Sequence, residues 1–150
     1  MIIFFFAWIS SKQNSDWAFV QNSISGNTSL YARAPLFFPE IASAHKARSS
    51  VTPSEFVSLA PAQHTSLVVR SIIFSDTSRG YLMSGTMPPE KVGILSLQYG
   101  VHVAGLNWKT DYSSYNTELA LRDFQNGDYQ VRALVGADRF ALIVKEKHAQ

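Results

Sequence analysis

The clearest pattern in the chain is an alternation of apolar and polar residues over its last third. Leu119 and Leu121 share one parity in the segment 117–124, and the same two-residue period recurs over 129–135 and 139–145. Alternate side chains of a strand lie on one face of a sheet. The pattern therefore predicts three strands that form an antiparallel meander with one clean apolar face.

Turn-forming residues separate these three strands. The residues Gln-Asn-Gly-Asp at 125–128 are a hairpin signal, and Gly-Ala-Asp at 136–138 turns the chain again. A tight turn of this kind favours a positive φ at its glycine, so we expect Gly127 to adopt one.

Apolar residues also occupy the other parity of the meander. Leu134, Ala141 and Ile143 point away from the first apolar set. Because apolar surface is stabilised by removal from water, this second face needs a cover. We expect another element or a second subunit to supply it, and we assign these three residues to a predicted interface.

The central part of the chain predicts a hairpin and two short helices. Residues 66–74 and 81–83 are strand-like and flank a cluster of turn formers. Proline with an acidic residue close behind it, a signal of a helix start, opens the segments 39–48 and 53–60. The run 92–103 is ambiguous, but its two glycines weaken a helix and favour a strand.

The N-terminal part of the chain contains an apolar run. Residues 2–9 are all apolar, and eight residues are too few to cross a bilayer as a helix, which needs about 20. A signal peptide or an anchor is one interpretation, although no Lys or Arg precedes the run. Its β-branched and aromatic residues favour a buried strand, and a further strand is expected over 29–32.

Together these patterns predict an α+β fold that is mainly antiparallel β-sheet, with a C-terminal three-stranded meander and two short helices. No repeat or linker divides the sequence. We therefore expect a single β-rich domain over residues 1–150, a length that can bury a core without disulfides.

Charge is scarce in this chain, and that bears on its partners. Asp, Glu, Lys and Arg make up 16% of the residues, against roughly 25% in an average soluble domain. A surface poor in charge is poorly protected against association. The net charge is only +2 and the basic residues are scattered, so no nucleic-acid partner is expected.

Known catalytic patterns are missing from the sequence. It contains no phosphate-binding loop, nucleophile elbow or zinc-protease motif, and no cysteine. The spacing of the four histidines suits no metal site. We expect no catalytic residue, metal or other cofactor; the sequence argues against an enzyme without excluding one, and it leaves the cellular compartment open.

The segment 107–116 concentrates aromatic and hydrogen-bonding side chains. Flat aromatic faces beside polar groups suit sugar rings, lipid headgroups or a protein partner, provided that the aromatic rings are exposed. The alternative is a loop whose aromatic residues fold back onto the core. The residues predicted to bind a ligand are Asn107, Trp108, Asp111, Tyr112 and Tyr115.

The function that the sequence favours is that of a non-enzymatic interaction protein. Low charge, a meander that is apolar on both faces and an apolar N-terminal run all fit a β-rich subunit of a homo-oligomer or a larger assembly. Its expected partners are further copies of itself or other protein subunits. The alternative function is a carbohydrate- or lipid-headgroup-binding module that uses the segment 107–116.

Overall fold

The computed structural model of the protein describes residues 28–36, 38–46 and 54–147. The prediction for the apolar segment 2–9 and the ends of the predicted domain lie outside these residues. The elements in chain order are α1 (Thr28–Tyr31), β1 (Ile41–Lys46), α2 (Ser54–Val57), β2 (Val68–Phe74), β3 (Arg79–Thr86), α3 (Val92–Gly105), β4 (Lys109–Tyr115), β5 (Leu119–Gln125), β6 (Tyr129–Gly136) and β7 (Arg139–Glu146).

The strands form one antiparallel sheet of seven strands in the order β1-β2-β3-β7-β6-β5-β4. Every neighbouring pair is antiparallel. The prediction of a mainly antiparallel β fold is confirmed, and β5, β6 and β7 follow one another as expected. The predicted three-stranded meander is only part of the sheet. The central hairpin joins it because β3 pairs with β7, and the edge strand β4 joins it because β4 pairs with β5.

The prediction of a strand over 92–103 is wrong, because these residues lie in the 14-residue helix α3. Its two internal glycines are sites of close approach rather than helix breakers. A Cβ on Gly93 would lie 3.3 Å from the ring of Tyr115, and one on Gly100 would lie 2.7 Å from the guanidinium of Arg122. Packing against β4 and β5 therefore offsets the low helix propensity of glycine.

Two other local predictions are also corrected. The segment 39–48 was expected to be a helix, but its centre is β1, whose backbone pairs with β2. The expected strand over 29–32 is replaced by the single helical turn α1. In both places the tertiary contacts, with Leu30 and Ala44 buried in one cluster, override weak local propensities. The expected helix over 53–60 is present as one turn, α2, followed by turn residues.

The turn at 125–128 is where the sequence predicts it, but its mechanism differs. Among the described residues no glycine has a positive φ, so the expectation for Gly127 is wrong. Instead the side-chain Oδ1 of Asn126 accepts hydrogen bonds from the backbone N–H groups of Asp128 and Tyr129, at 2.9 and 2.8 Å. The asparagine side chain closes this turn, so no left-handed glycine is required.

The sheet is apolar on both faces, and each face has its own core. On the helix face, α3 and the residues around α2 cover side chains that include Met83, Phe124, Val131 and Leu142. On the opposite face, Leu30 and its neighbours cover a second cluster. No helix in the described part of the chain is long and apolar enough to span a membrane.

Candidate interaction surface

The three residues of the predicted interface lie on the opposite face of the sheet. Leu134, Ala141 and Ile143 are all buried, in one cluster with Leu30. Tyr31, Ala34, Phe38 and Ile41 pack against the same cluster. The cover at these three positions is therefore an element of the same chain, which is one of the two covers that the sequence allowed.

A buried ion pair helps to fix this cover. Arg132 donates from Nε and Nη2 to the two carboxylate oxygens of Asp123, at 2.8 and 2.9 Å, and the Asp123 side chain is fully buried. The same guanidinium donates to the carbonyl oxygen of Leu36 at 2.8 Å. It also lies 5.3 and 4.7 Å from the ring centroids of Tyr31 and Phe38. One charged group thus connects β6, β5 and the covering segment.

The two tyrosines on this face differ in how their hydroxyl groups are satisfied. Tyr112 donates to the carbonyl oxygen of Leu30 at 3.0 Å. The buried hydroxyl of Tyr31 has no hydrogen-bond partner among the described residues. Burial raises the pKa of Tyr31 well above its usual value, because the charged phenolate is poorly solvated there.

The predicted ligand-binding residues lie at the end of α3 and along the edge strand β4. Asn107 is exposed and has a positive φ of 67° in the turn after the helix. Trp108 is only 8% exposed and packs edge-on against Phe124, with 5.5 Å between ring centroids. Asp111 accepts a hydrogen bond from Gln125 on the neighbouring strand.

The aromatic side chains of this segment do not converge on one surface. Trp108 belongs to the core of the helix face, whereas Tyr112 packs on the core of the opposite face. Tyr115 is 59% exposed and lies beside Gly93 of α3. Of the three aromatic residues, Tyr115 alone is exposed enough to stack on a ring, and its ring lies beside Gly93 near the start of α3.

The outer side of α3 carries a stripe of large exposed apolar side chains. Ile94, Leu97 and Val101 are 42%, 70% and 67% exposed. Their spacing of three and four residues places them on one side of a helix. The helix packs against the sheet through other residues, among them Leu95, Tyr99 and Val103, which are buried. We call Ile94, Leu97 and Val101 the outer stripe.

Helix α3 is also free of charge along its length. None of its 14 residues is Asp, Glu, Lys or Arg, and His102 is its one basic residue. A helix on the surface of a soluble protein normally turns charged residues to water, whereas one that is apolar all round is normally buried. The composition of α3 is therefore that of a helix covered on both sides.

An open groove of about 520 Å³ lies along another side of α3, which contributes Leu95, Gln98, Tyr99 and His102 to its lining. Leu95, Tyr99, Pro88 and Pro89 contribute apolar walls. Gln63 and Gln98 bond to one another at its rim, at 3.1 Å. Glu90 and His102 also line the groove, which therefore combines apolar walls with hydrogen-bonding groups and one carboxylate.

The titratable groups near the groove serve structural roles. His102 and His64 each place a ring nitrogen 2.7 Å from a backbone carbonyl oxygen, those of Ser58 and Pro61. Tyr99 donates to the carbonyl oxygen of Leu59 at 2.7 Å, and burial raises its pKa well above the usual value.

On the sheet side of the helix, burial lowers the pKa of the Arg122 guanidinium. Within the described ranges no group of three or more His, Asp or Glu residues could hold a metal ion.

Comparison of the chain with protein-family models, with curated proteins and with solved structures found no match in any of the three.

Proposed function

We propose that the protein is a non-enzymatic interaction protein, a β-rich subunit that associates with copies of itself or with other proteins through the outer side of α3. The observation that carries this proposal is the outer stripe on a helix without charged residues. Contiguous exposed apolar surface on a soluble protein commonly marks an interaction site. The low charge of the whole chain supports the same function.

The size of the expected contact follows from the hydrophobic effect. Full burial of a Leu, Ile or Val side chain contributes about 1.5–3 kcal/mol, so the exposed parts of the outer stripe supply about 3–5 kcal/mol. A micromolar dissociation constant corresponds to about 8 kcal/mol. The stripe alone is too small for such a complex. A partner must also contact its surroundings, which include Tyr115 on one side and the groove on the other.

The chemistry of the surface favours a protein partner over a charged ligand. The stripe and the apolar walls of the groove carry no cation that would attract a phosphate, and an apolar centre with a polar rim is the usual anatomy of a protein interface. The alternative of a sugar or lipid-headgroup site stays a prediction, and Tyr115 is the residue through which it would act.

Two isoleucines of equal exposure provide a matched test. Ile94 is 42% exposed on the stripe, and Ile73 is 43% exposed on β2. Light scattering after size exclusion should give more than one chain per particle for the unmodified protein. Ile94→Lys should lower that mass because it places a charge in the contact, whereas Ile73→Lys should leave it unchanged. A strict monomer at micromolar concentration, or equal effects of both variants, would contradict the proposal.

A further inference from the structure

We propose that the groove along α3 binds the side chain of an arginine carried by a partner polypeptide. The groove contains no residue of the outer stripe, so this site goes beyond the proposed function and does not depend on it. The observation that carries the proposal is the composition of the lining. Its walls are apolar, and among its described residues Glu90 is the one Asp, Glu, Lys or Arg.

One wall of the groove is formed by two consecutive prolines whose backbone is held at both ends. The ring of each proline fixes φ, so Pro88 and Pro89 have little conformational freedom. On either side of them, the backbone N–H groups of Met87 and Glu90 donate to the carbonyl oxygens at positions 138 and 137, at 2.8 and 3.0 Å. This wall is formed before a ligand arrives, so binding costs little ordering of the protein.

A second wall joins α3 to the segment that follows α2. Tyr99 donates to the carbonyl oxygen of Leu59, and Nε2 of His102 donates to that of Ser58, each at 2.7 Å. Leu95 adds an apolar side chain to the same lining. The groove has a volume of about 520 Å³, within the range of about 300–1,000 Å³ that is usual for ligand pockets.

The polar groups of the lining favour a ligand that donates hydrogen bonds. Glu90 accepts one from the backbone N–H of Lys91 at 2.9 Å, through Oε1, and its Oε2 has no partner among the described residues. Because Nε2 of His102 donates, Nδ1 of the neutral ring is an acceptor. Gln63 and Gln98 bond to one another and keep amide groups of both kinds for a ligand.

The charge of the groove selects a cation. No cation in the described part of the chain forms an ion pair with Glu90, whose carboxylate would repel a phosphate or a second carboxylate. An arginine side chain combines an apolar stem with a planar guanidinium that bears several N–H donors. The stem suits the proline and leucine walls, and the guanidinium suits the carboxylate.

The shape and the rim of the groove favour an arginine within a polypeptide over a free amino acid. The groove is open and has room for the residues on either side of the arginine. The amides of Gln63 and Gln98 at the rim match the N–H and C=O groups of a peptide backbone. A free arginine would also bring its own carboxylate close to that of Glu90.

The test is a titration of the ¹⁵N-labelled protein followed by NMR. The probe is the blocked tripeptide acetyl-Ala-Arg-Ala-amide, and the matched ligand replaces arginine by citrulline, which has nearly the same shape and no charge. The backbone signals of Gln98 and His102 should shift and reach saturation with the arginine peptide. The citrulline peptide should bind about fivefold more weakly or worse, because a hydrogen bond between charged groups is stronger than a neutral one.

Two variants of the protein locate the charge that is responsible. Glu90→Gln should weaken binding of the arginine peptide about fivefold or more and leave that of the citrulline peptide unchanged. The control Glu118→Gln removes an equal charge from an exposed carboxylate outside the groove and should change neither affinity. Circular dichroism checks that both variants are folded.

Several results would overturn the proposal. They are an arginine peptide that causes no saturable shift at millimolar concentration, equal affinities of the two peptides, equal losses in Glu90→Gln and Glu118→Gln, and shifts confined to residues outside the groove. Tighter binding of free arginine than of the tripeptide would identify the amino acid as the ligand and overturn the assignment to a partner polypeptide. None of these results bears on the outer stripe, which is tested by the mass of the particle in solution.

Discussion

The two faces of the sheet are completed in different ways. The opposite face is covered by a short segment, residues 28–36 and 38, that is held by directional polar contacts to Arg132 and Tyr112. The helix face is covered by α3 and α2 mainly through apolar packing, for example Phe56 against Tyr129 with 4.7 Å between ring centroids, with a buried hydrogen bond from Tyr99 to the carbonyl oxygen of Leu59 beside it. Among the described residues the covering segment exposes no large apolar side chain, whereas α3 presents an apolar stripe to its surroundings.

This difference separates the contacts that fix the folded structure from the surface that we expect to associate with a partner. Polar contacts fix the position of the covering segment, because each needs a particular partner at a particular distance. Apolar packing on the helix face is less directional, and it continues outward through a helix whose two sides are both apolar. We therefore expect substitutions on the opposite face to change stability, and substitutions on the outer stripe to change association.

The largest expected effect is loss of the buried ion pair on the opposite face. Asp123→Ala leaves the Arg132 guanidinium without its carboxylate in a buried site, so the free energy of unfolding should fall by about 3–5 kcal/mol. The matched control is Asp138→Ala, since Asp138 pairs with Arg139 at 3.8 Å on the surface. That variant should cost at most about 1 kcal/mol in urea unfolding. Equal losses in the two variants would show that burial of the pair is irrelevant.

A smaller effect distinguishes one tyrosine on each face. Tyr99→Phe leaves the carbonyl oxygen of Leu59 without its buried donor and should cost about 1–3 kcal/mol. Tyr31→Phe removes a hydroxyl that has no partner among the described residues, so it should leave stability unchanged or raise it slightly. Urea unfolding of both variants at neutral pH measures the difference. A destabilised Tyr31→Phe protein would contradict this account of the opposite face.

The same two tyrosines make stability depend on alkaline pH. Burial raises the pKa of each in the folded protein, while in the unfolded chain each ionises near its usual value of about 10. Their contribution is complete below about pH 10 and is lost as the pH rises further, by up to about 1.4 kcal/mol per pH unit and tyrosine. Tyr99→Phe and Tyr31→Phe should each flatten this fall. If the free energy of unfolding of both variants fell with pH in parallel with that of the unmodified protein, the raised pKa values would not contribute to stability.

Much of the sheet could be predicted because its strands follow a local pattern. The alternation in β5, β6 and β7 is visible without knowledge of any partner, and so is the hairpin of β2 and β3. The edge strands β1 and β4 were missed, since each depends on a neighbour for its pairing.

Helix α3 was missed because its two internal glycines disfavour a helix, and the apolar pattern of the segment does not point to a helix either. Leu95, Leu97, Tyr99, Val101 and Val103 stand at alternate positions, which is the period of a strand. Wound into a helix, the same residues fall on two sides, so Leu95, Tyr99 and Val103 are buried while Leu97 and Val101 face outward.

The residues of the outer stripe are visible in the sequence, but they could not be recognised as one surface while the segment was interpreted as a strand. The spacing of Ile94, Leu97 and Val101 is a helical signal that becomes visible only once α3 is known. The aromatic side chains of the segment 107–116 do not converge on one surface, and the reason is likewise visible only in the structure. Trp108 lies just before β4 and Tyr112 lies within it, and the strand register shifts between Thr110 and Tyr112, so the two rings pack on opposite cores although they are four residues apart.

The measurement that tests the central claim most directly is the accessibility of the outer stripe as a function of protein concentration. Leu97→Cys and the control Ile73→Cys introduce single thiols at exposed positions of a chain without cysteine. If α3 forms the contact, the labelling rate of the thiol at position 97 should fall as the protein is concentrated to micromolar levels and above. The rate at position 73 should stay constant. Rates at both positions that do not change with concentration would contradict the assignment of α3 as the interaction surface.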